Sequence, residues 1–72
     1  MDLTIHLLDV VAVTEGIPRR NLLRGQVGTV VEMPASDVYE VEFCDEEGRT
    51  FAMAALQESQ LMLLRFRPAH IA

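Results

Sequence analysis

A chain of 72 residues with a formal charge of −5 has room for one small domain, and its charge opposes general binding to a phosphate backbone. Half of its residues are apolar, enough for a compact core and too many for a disordered chain. A single cysteine and two histidines exclude an internal disulfide and a four-ligand zinc site, and no apolar run approaches the roughly 18 residues of a membrane span.

Met1 to Leu8 fits neither a helical nor a strand period; it is either a short helical turn or the lead-in to the first strand, and His6 within it reads as a packing or surface residue. Without a basic stretch or a small-residue cleavage site at the N-terminus, the expectation is a soluble, cytoplasmic chain. Asp9 to Thr14 is a strand by its β-branched content, with Val11 and Val13 on one face and Val10 and Ala12 on the other. Two apolar faces imply cover on both sides. Glu15 to Arg24 is a long connection in which Gly16 and Pro18 forbid a regular strand, and Leu22 and Leu23 require the loop to fold back over the core.

Gly25 is expected at a turn that needs unusual backbone angles, and Gly28 at a bulge or sharp bend of the next strand. Val27 to Glu32 and Val38 to Phe43 form a hairpin around Pro34-Ala35-Ser36-Asp37, with Pro34 ending the first strand. Along the second half Tyr39, Val41 and Phe43 alternate with Val38, Glu40 and Glu42, a period of two with one apolar and one charged face. Cys44 reads as a small apolar residue at the strand end. A turn with Gly48 in the left-handed position leads into a strand over Thr50 to Leu56. Gln57 to Gln60 suits a single helical or 3-10 turn, and Leu61 to Leu64 a short closing strand.

These elements predict an all-β fold: a small SH3-like, partly open barrel of about five strands over residues 1–64, with a long early loop, a one-turn 3-10 helix before the last strand, and a tail over residues 65–72. The tail is less ordered unless Phe66 docks.

Asp9-Val10-Val11-Ala12-Val13-Thr14, then Gly25-Gln26-Val27-Gly28-Thr29-Val30-Val31-Glu32, Tyr39-Glu40-Val41-Glu42-Phe43, Asp45 to Gly48 and Ser59-Gln60-Leu61 together resemble a family of small bacterial proteins, domain of unknown function 4926. More distantly, the Gly-x-x-Gly-x-Val pattern is similar to the SH3-like part of nitrile hydratase β subunits and to ribosomal-type barrels. The resemblance implies an SH3-like barrel, brings no catalytic residue, and suggests a companion of a larger or toxic protein. The chain departs from that pattern after Leu61.

Glu32, Asp37, Glu40, Glu42, Asp45, Glu46 and Glu47 follow one another with no basic residue between them. Such a run is either a solvated face whose charge blocks unwanted strand pairing or a docking patch for a basic protein surface. The spacing of Asp45-Glu46-Glu47 matches no known cation loop. Arg19, Arg20 and Arg24 form an opposite, basic pole in the long loop, either for solubility or for a partner's carboxylates. RNA binding needs exposed aromatics, and those of this chain fall on core positions of the pattern. Cys44 has no local histidine, and the carboxylates read as exposed and alike, so no catalytic pair, metal or cofactor site is assembled. Leu61-Met62-Leu63-Leu64 and the two-faced first strand leave an apolar edge for a partner or a second copy.

The expectation is a protein-binding module, an antitoxin or immunity-type partner that occludes a basic surface of a cognate toxin. An accessory subunit of a larger enzyme and a small nucleic-acid-binding barrel are the alternatives.

Overall fold

The computed structural model describes residues 4–68, so His70 and the end of the expected tail lie outside the described residues. The β-branched and aromatic runs form five strands: β1 (Val10–Val13), β2 (Val27–Ala35), β3 (Val38–Cys44), β4 (Thr50–Gln57) and β5 (Leu61–Leu63). Every pair is antiparallel, and the order across the sheet is β4-β3-β2-β1-β5. The first strand thus lies between the second and the last. The sheet is not closed into a barrel, and β4 and β5 remain its edges.

One sheet without a covering layer can make a core only by curling over its own inner face. Period-two alternation supplies that face. Val11, Val13, Val30, Tyr39, Val41, Phe43, Ala54, Leu56 and Leu61 are buried, and Ile5, Ile17 and Leu22 close over them from the connections. The pairings align these side chains in rows: Val11, Gly28, Phe43 and Ala52 in one, Val30, Val41 and Ala54 in the next. Among the described residues no charged side chain is buried, and Tyr39 alone brings a polar group into the core. Cohesion therefore comes from apolar burial, worth about 1.5–3 kcal/mol for each large side chain.

The connection between β1 and β2 is more regular than its composition implies. Ile17 and Leu22 exchange backbone hydrogen bonds of 2.8 and 3.2 Å around a 3-10 turn at Pro18–Arg20, which Asn21 ends at φ 59°. The second 3-10 turn, Glu58–Gln60, leads directly into β5 and is held by a reciprocal cap between Gln57 and Gln60. Thr14 ties it to the end of β1, its N–H donating to the Gln60 carbonyl at 2.9 Å and its hydroxyl to the Ser59 carbonyl at 3.2 Å.

Four local expectations are corrected. Leu22 is buried, but Leu23 is 71% exposed; its N–H donates to the Gln26 side chain at 2.6 Å, which turns it outward. Gly28 marks a close approach rather than a bulge, since the register shifts of the hairpin fall between Val30 and Glu32 and between Glu32 and Ala35. Pro34 does not end β2. It sits within the second of these irregularities, where its missing N–H interrupts no regular ladder. Ser36 and Asp37 alone make the turn, with Asp37 at φ 64°. Cys44, finally, ends β3 but is exposed rather than packed. Gly25 and Gly48 adopt the left-handed angles expected of them, φ 91° and 81°.

Candidate functional site

The alternation that buries Tyr39, Val41 and Phe43 sends Val38, Glu40 and Glu42 to the outer face of β3. On β2 the bulge after Val30 shifts the phase by one residue and brings Glu32 directly opposite Glu40. Without it Glu32 would not face its like charge. Thr29 and Met53 flank Glu42, and Ala55 lies beyond Glu40 on β4. Like charges directly opposite on an antiparallel pair are destabilising. Among the described residues, no ion pair engages Glu32, Glu40 or Glu42; Glu42 accepts a hydrogen bond from the Thr50 hydroxyl at 2.7 Å.

The seven carboxylates expected in one patch divide among three places. Glu32, Glu40 and Glu42 share the outer face. Asp37 occupies the β2–β3 turn at one end of the ladder, close enough, together with Glu58, to help raise the pKa of Tyr39; burial of the phenol is the larger cause. Asp45, Glu46 and Glu47 lie in the β3–β4 turn at the opposite end.

That last group is already engaged. Asp45 Oδ1 accepts the backbone N–H groups of Glu47 and Arg49, both at 2.9 Å, and its Oδ2 takes Arg49 Nε at 3.2 Å. Arg49 also reaches Glu47 Oε1 at 2.8 Å. Asp45 and Glu47 therefore organise the turn and share its charge with Arg49. The arginine responsible lies just past the acidic run, and the local spacing Asp-x-Glu-Gly-Arg was the available sign.

Hydrogen bonds to the charged form hold the Asp45 carboxyl below its usual range, the Arg49 backbone N–H first among them, with burial opposing. Its contribution to stability is present above the ordinary carboxylate pKa of about 4 and is lost as pH falls through the lower folded value. In thermal melts from pH 7 to pH 2, Asp45→Asn is expected to start less stable and to lose less below about pH 4. Parallel losses in the two proteins would remove this assignment.

The basic residues do not form an opposite pole. Their connection leaves the sheet at the same end as the Asp45–Arg49 turn, since the ends of β1 and β3 and the starts of β2 and β4 all lie there. Arg19 and Arg20 occupy the exposed 3-10 turn, whereas Arg24 lines a shallow depression with Ala12, Gly25 and Met62. Nor are all aromatics internal: Tyr39 and Phe43 are buried, but Phe51 is 45% and Phe66 78% exposed. Among the described residues no group of three or more His, Cys, Asp or Glu side chains converges as a metal site, and no helix is long and apolar enough to cross a membrane.

A family model, domain of unknown function (DUF4926), matches residues 7–63. No curated protein and no solved structure matches the chain.

Proposed function

The chain belongs to the DUF4926 family, a domain of unknown function, and from that premise we propose that it is a non-enzymatic protein-binding module whose acidic outer face covers a basic surface of a partner. Its concrete form is an antitoxin that occludes the basic working surface of a cognate toxin. The observation that carries this reading is the direct opposition of Glu32 and Glu40, with Glu42 beside them and, among the described residues, no ion pair to relieve them. The arrangement costs the isolated domain stability; a basic partner turns the same charges into attraction and faster encounter. Asp37 and Glu46 extend the negative potential to the two ends of the hairpin.

Relief of the repulsion separates folding from binding. Glu32→Gln is expected to stabilise the free domain by about 0.5 kcal/mol, read by urea denaturation, while weakening capture of the partner. For the partner itself, the reading frame beside this one is expressed alone and with this chain. Growth arrest alone and rescue by co-expression are expected, with rescue lost in a folded Glu32→Lys, Glu40→Lys variant. A harmless neighbouring product, or full rescue by that variant, overturns the proposal.

A further inference from the structure

The outer face of the sheet is not acidic throughout. Both faces of β1 are apolar, yet the core covers only that of Val11 and Val13. On the other face Ala12 lies between Val27 of β2 and Met62 of β5, and Val10 lies between Thr29 and Leu64. These residues make one largely apolar strip across β5, β1 and β2, with Val27 49% and Met62 57% exposed. Phe66, in the tail behind β5, is 78% exposed and does not pack on it. The strip adjoins the carboxylates. Thr29 is directly opposite Glu42, so the row Leu64-Val10-Thr29-Glu42 passes from apolar to acidic on one surface, and Glu32 and Glu40 stand one row further on. At the other margin Ala12 and Met62 line the shallow depression beside Arg24. The negative border is on the β3 side.

Charge complementarity states what suits such a surface. An apolar or acidic cover would desolvate Glu40 and Glu42 at its rim without an opposite charge. A cover with cations along one margin and apolar side chains beside them is favourable at both places. A second copy of this chain, at formal charge −5, has the wrong sign. Backbone chemistry narrows the form of the cover. β1 and β2 are interior strands whose N–H and C=O groups are spent in the ladders on either side. An extended segment laid on this face finds no backbone partners, and its own amides would be buried unpaired. An α-helix satisfies its own amides and presents residues i, i+3, i+4 and i+7 on one side.

We propose that the outer surface of β5, β1 and β2 seats an amphipathic helix of the partner, with apolar side chains on Val10, Ala12, Val27 and Met62 and lysine or arginine along the flank that faces Glu40 and Glu42. The inference rests on the docking reading above and names the chemistry of its partner. The carboxylates steer the encounter, and burial of the strip holds the complex.

Methyl and amide NMR of the intact chain tests it by titration with a synthetic alanine-rich helical peptide that carries leucine along one stripe and lysine along one flank. A peptide of the same composition in scrambled order is the control. Expected are saturable shifts at the Val27 and Met62 methyls together with the Glu40 and Glu42 amides. The dissociation constant should rise about tenfold or more in Val27→Thr, Met62→Gln. Both positions are exposed; threonine keeps the β-branch and glutamine the length of methionine, so the strands are preserved. Equal binding of the scrambled peptide, shifts in β3 that leave Val27 and Met62 unmoved, or no binding at all overturns the proposal. So do Val27 and Met62 methyls that in the unliganded chain already contact its own terminal residues or, on concentration, a second copy. The growth assay separates the two readings, with loss of rescue expected in both variants. Full rescue by Val27→Thr, Met62→Gln with loss in Glu32→Lys, Glu40→Lys removes the helix seat and leaves acidic docking standing, whereas full rescue by both variants removes both.

Discussion

Gly28→Ala is expected to unfold the domain or to leave it a small remnant of its stability. A Cβ at this position would stand 2.6 Å from Val41 Cγ1, 2.8 Å from the Glu42 carbonyl oxygen and 2.9 Å from Phe43 Cδ1, all closer than non-bonded atoms tolerate. Val41 and Phe43 are both completely buried, so neither side chain has empty space to move into, and the carbonyl belongs to the partner strand itself. Relief requires β2 and β3 to separate at the pair Gly28–Phe43, in the middle of the row that runs from Val11 to Ala52. Overpacking of this kind costs about 3 kcal/mol or more. A 72-residue domain has roughly 4–11 kcal/mol in total. Gly48→Ala makes the useful contrast: at φ 81° with nothing within 4 Å, it carries only backbone strain, about 1 kcal/mol. Val41→Ala in the Gly28→Ala background removes one of the three clashes and leaves the backbone one, so the double variant should be less destabilised than the two single costs summed. Urea denaturation of the four variants checks all of this. A Gly28→Ala protein within about 0.5 kcal/mol of the parent would show that the strands accommodate the methyl.

The strands were legible because each carries a local signal that tertiary structure did not override. β3 is the clearest case: three buried and three half-exposed residues alternate before Cys44 as the period of two requires. The family resemblance stated on the quoted motifs is also met, by the match over residues 7–63. What stayed hidden depends on relations between segments. A bulge residue looks like any other strand residue until its partner strand is known, so neither the phase shift after Val30 nor the opposition of Glu32 and Glu40 follows from β2 alone. Gly28 announced itself as unusual, but only Val41 and Phe43 across the ladder show whether the reason is angle or space. The acidic run suggested one surface because it is continuous in sequence. In a hairpin, continuity places the two turns at opposite ends, and Arg49, two residues beyond Glu47, takes up part of the charge. The edge character of β4 is likewise a property of sheet order rather than of composition.

Leu22 and Leu23 are adjacent, chemically identical, and expected to differ in stability effect by most of the margin that holds the domain together. Leu22 is 1% exposed and packs in the core cluster with Ile17, whereas Leu23 is 71% exposed. Leu22 is the contact by which the long connection between β1 and β2 stays on the sheet, and its own N–H and carbonyl close the bridge to Ile17. Truncation to alanine removes a completely buried isobutyl group and leaves a cavity that the paired backbone around it cannot collapse to fill. Leu22→Ala is therefore expected to cost about 2–5 kcal/mol, enough to bring a domain of this size near its folding threshold at 37 °C. Leu23→Ala should stay within about 0.5 kcal/mol of the parent. The backbone amides of Ile17 and Leu22 report the mechanism, because they donate across the bridge and should lose exchange protection in Leu22→Ala even under conditions where β3 amides keep theirs. If both variants are equally mild, the connection is not anchored through Leu22. If both are equally severe, Leu23 is covered by a second molecule, and the severity should then disappear on dilution.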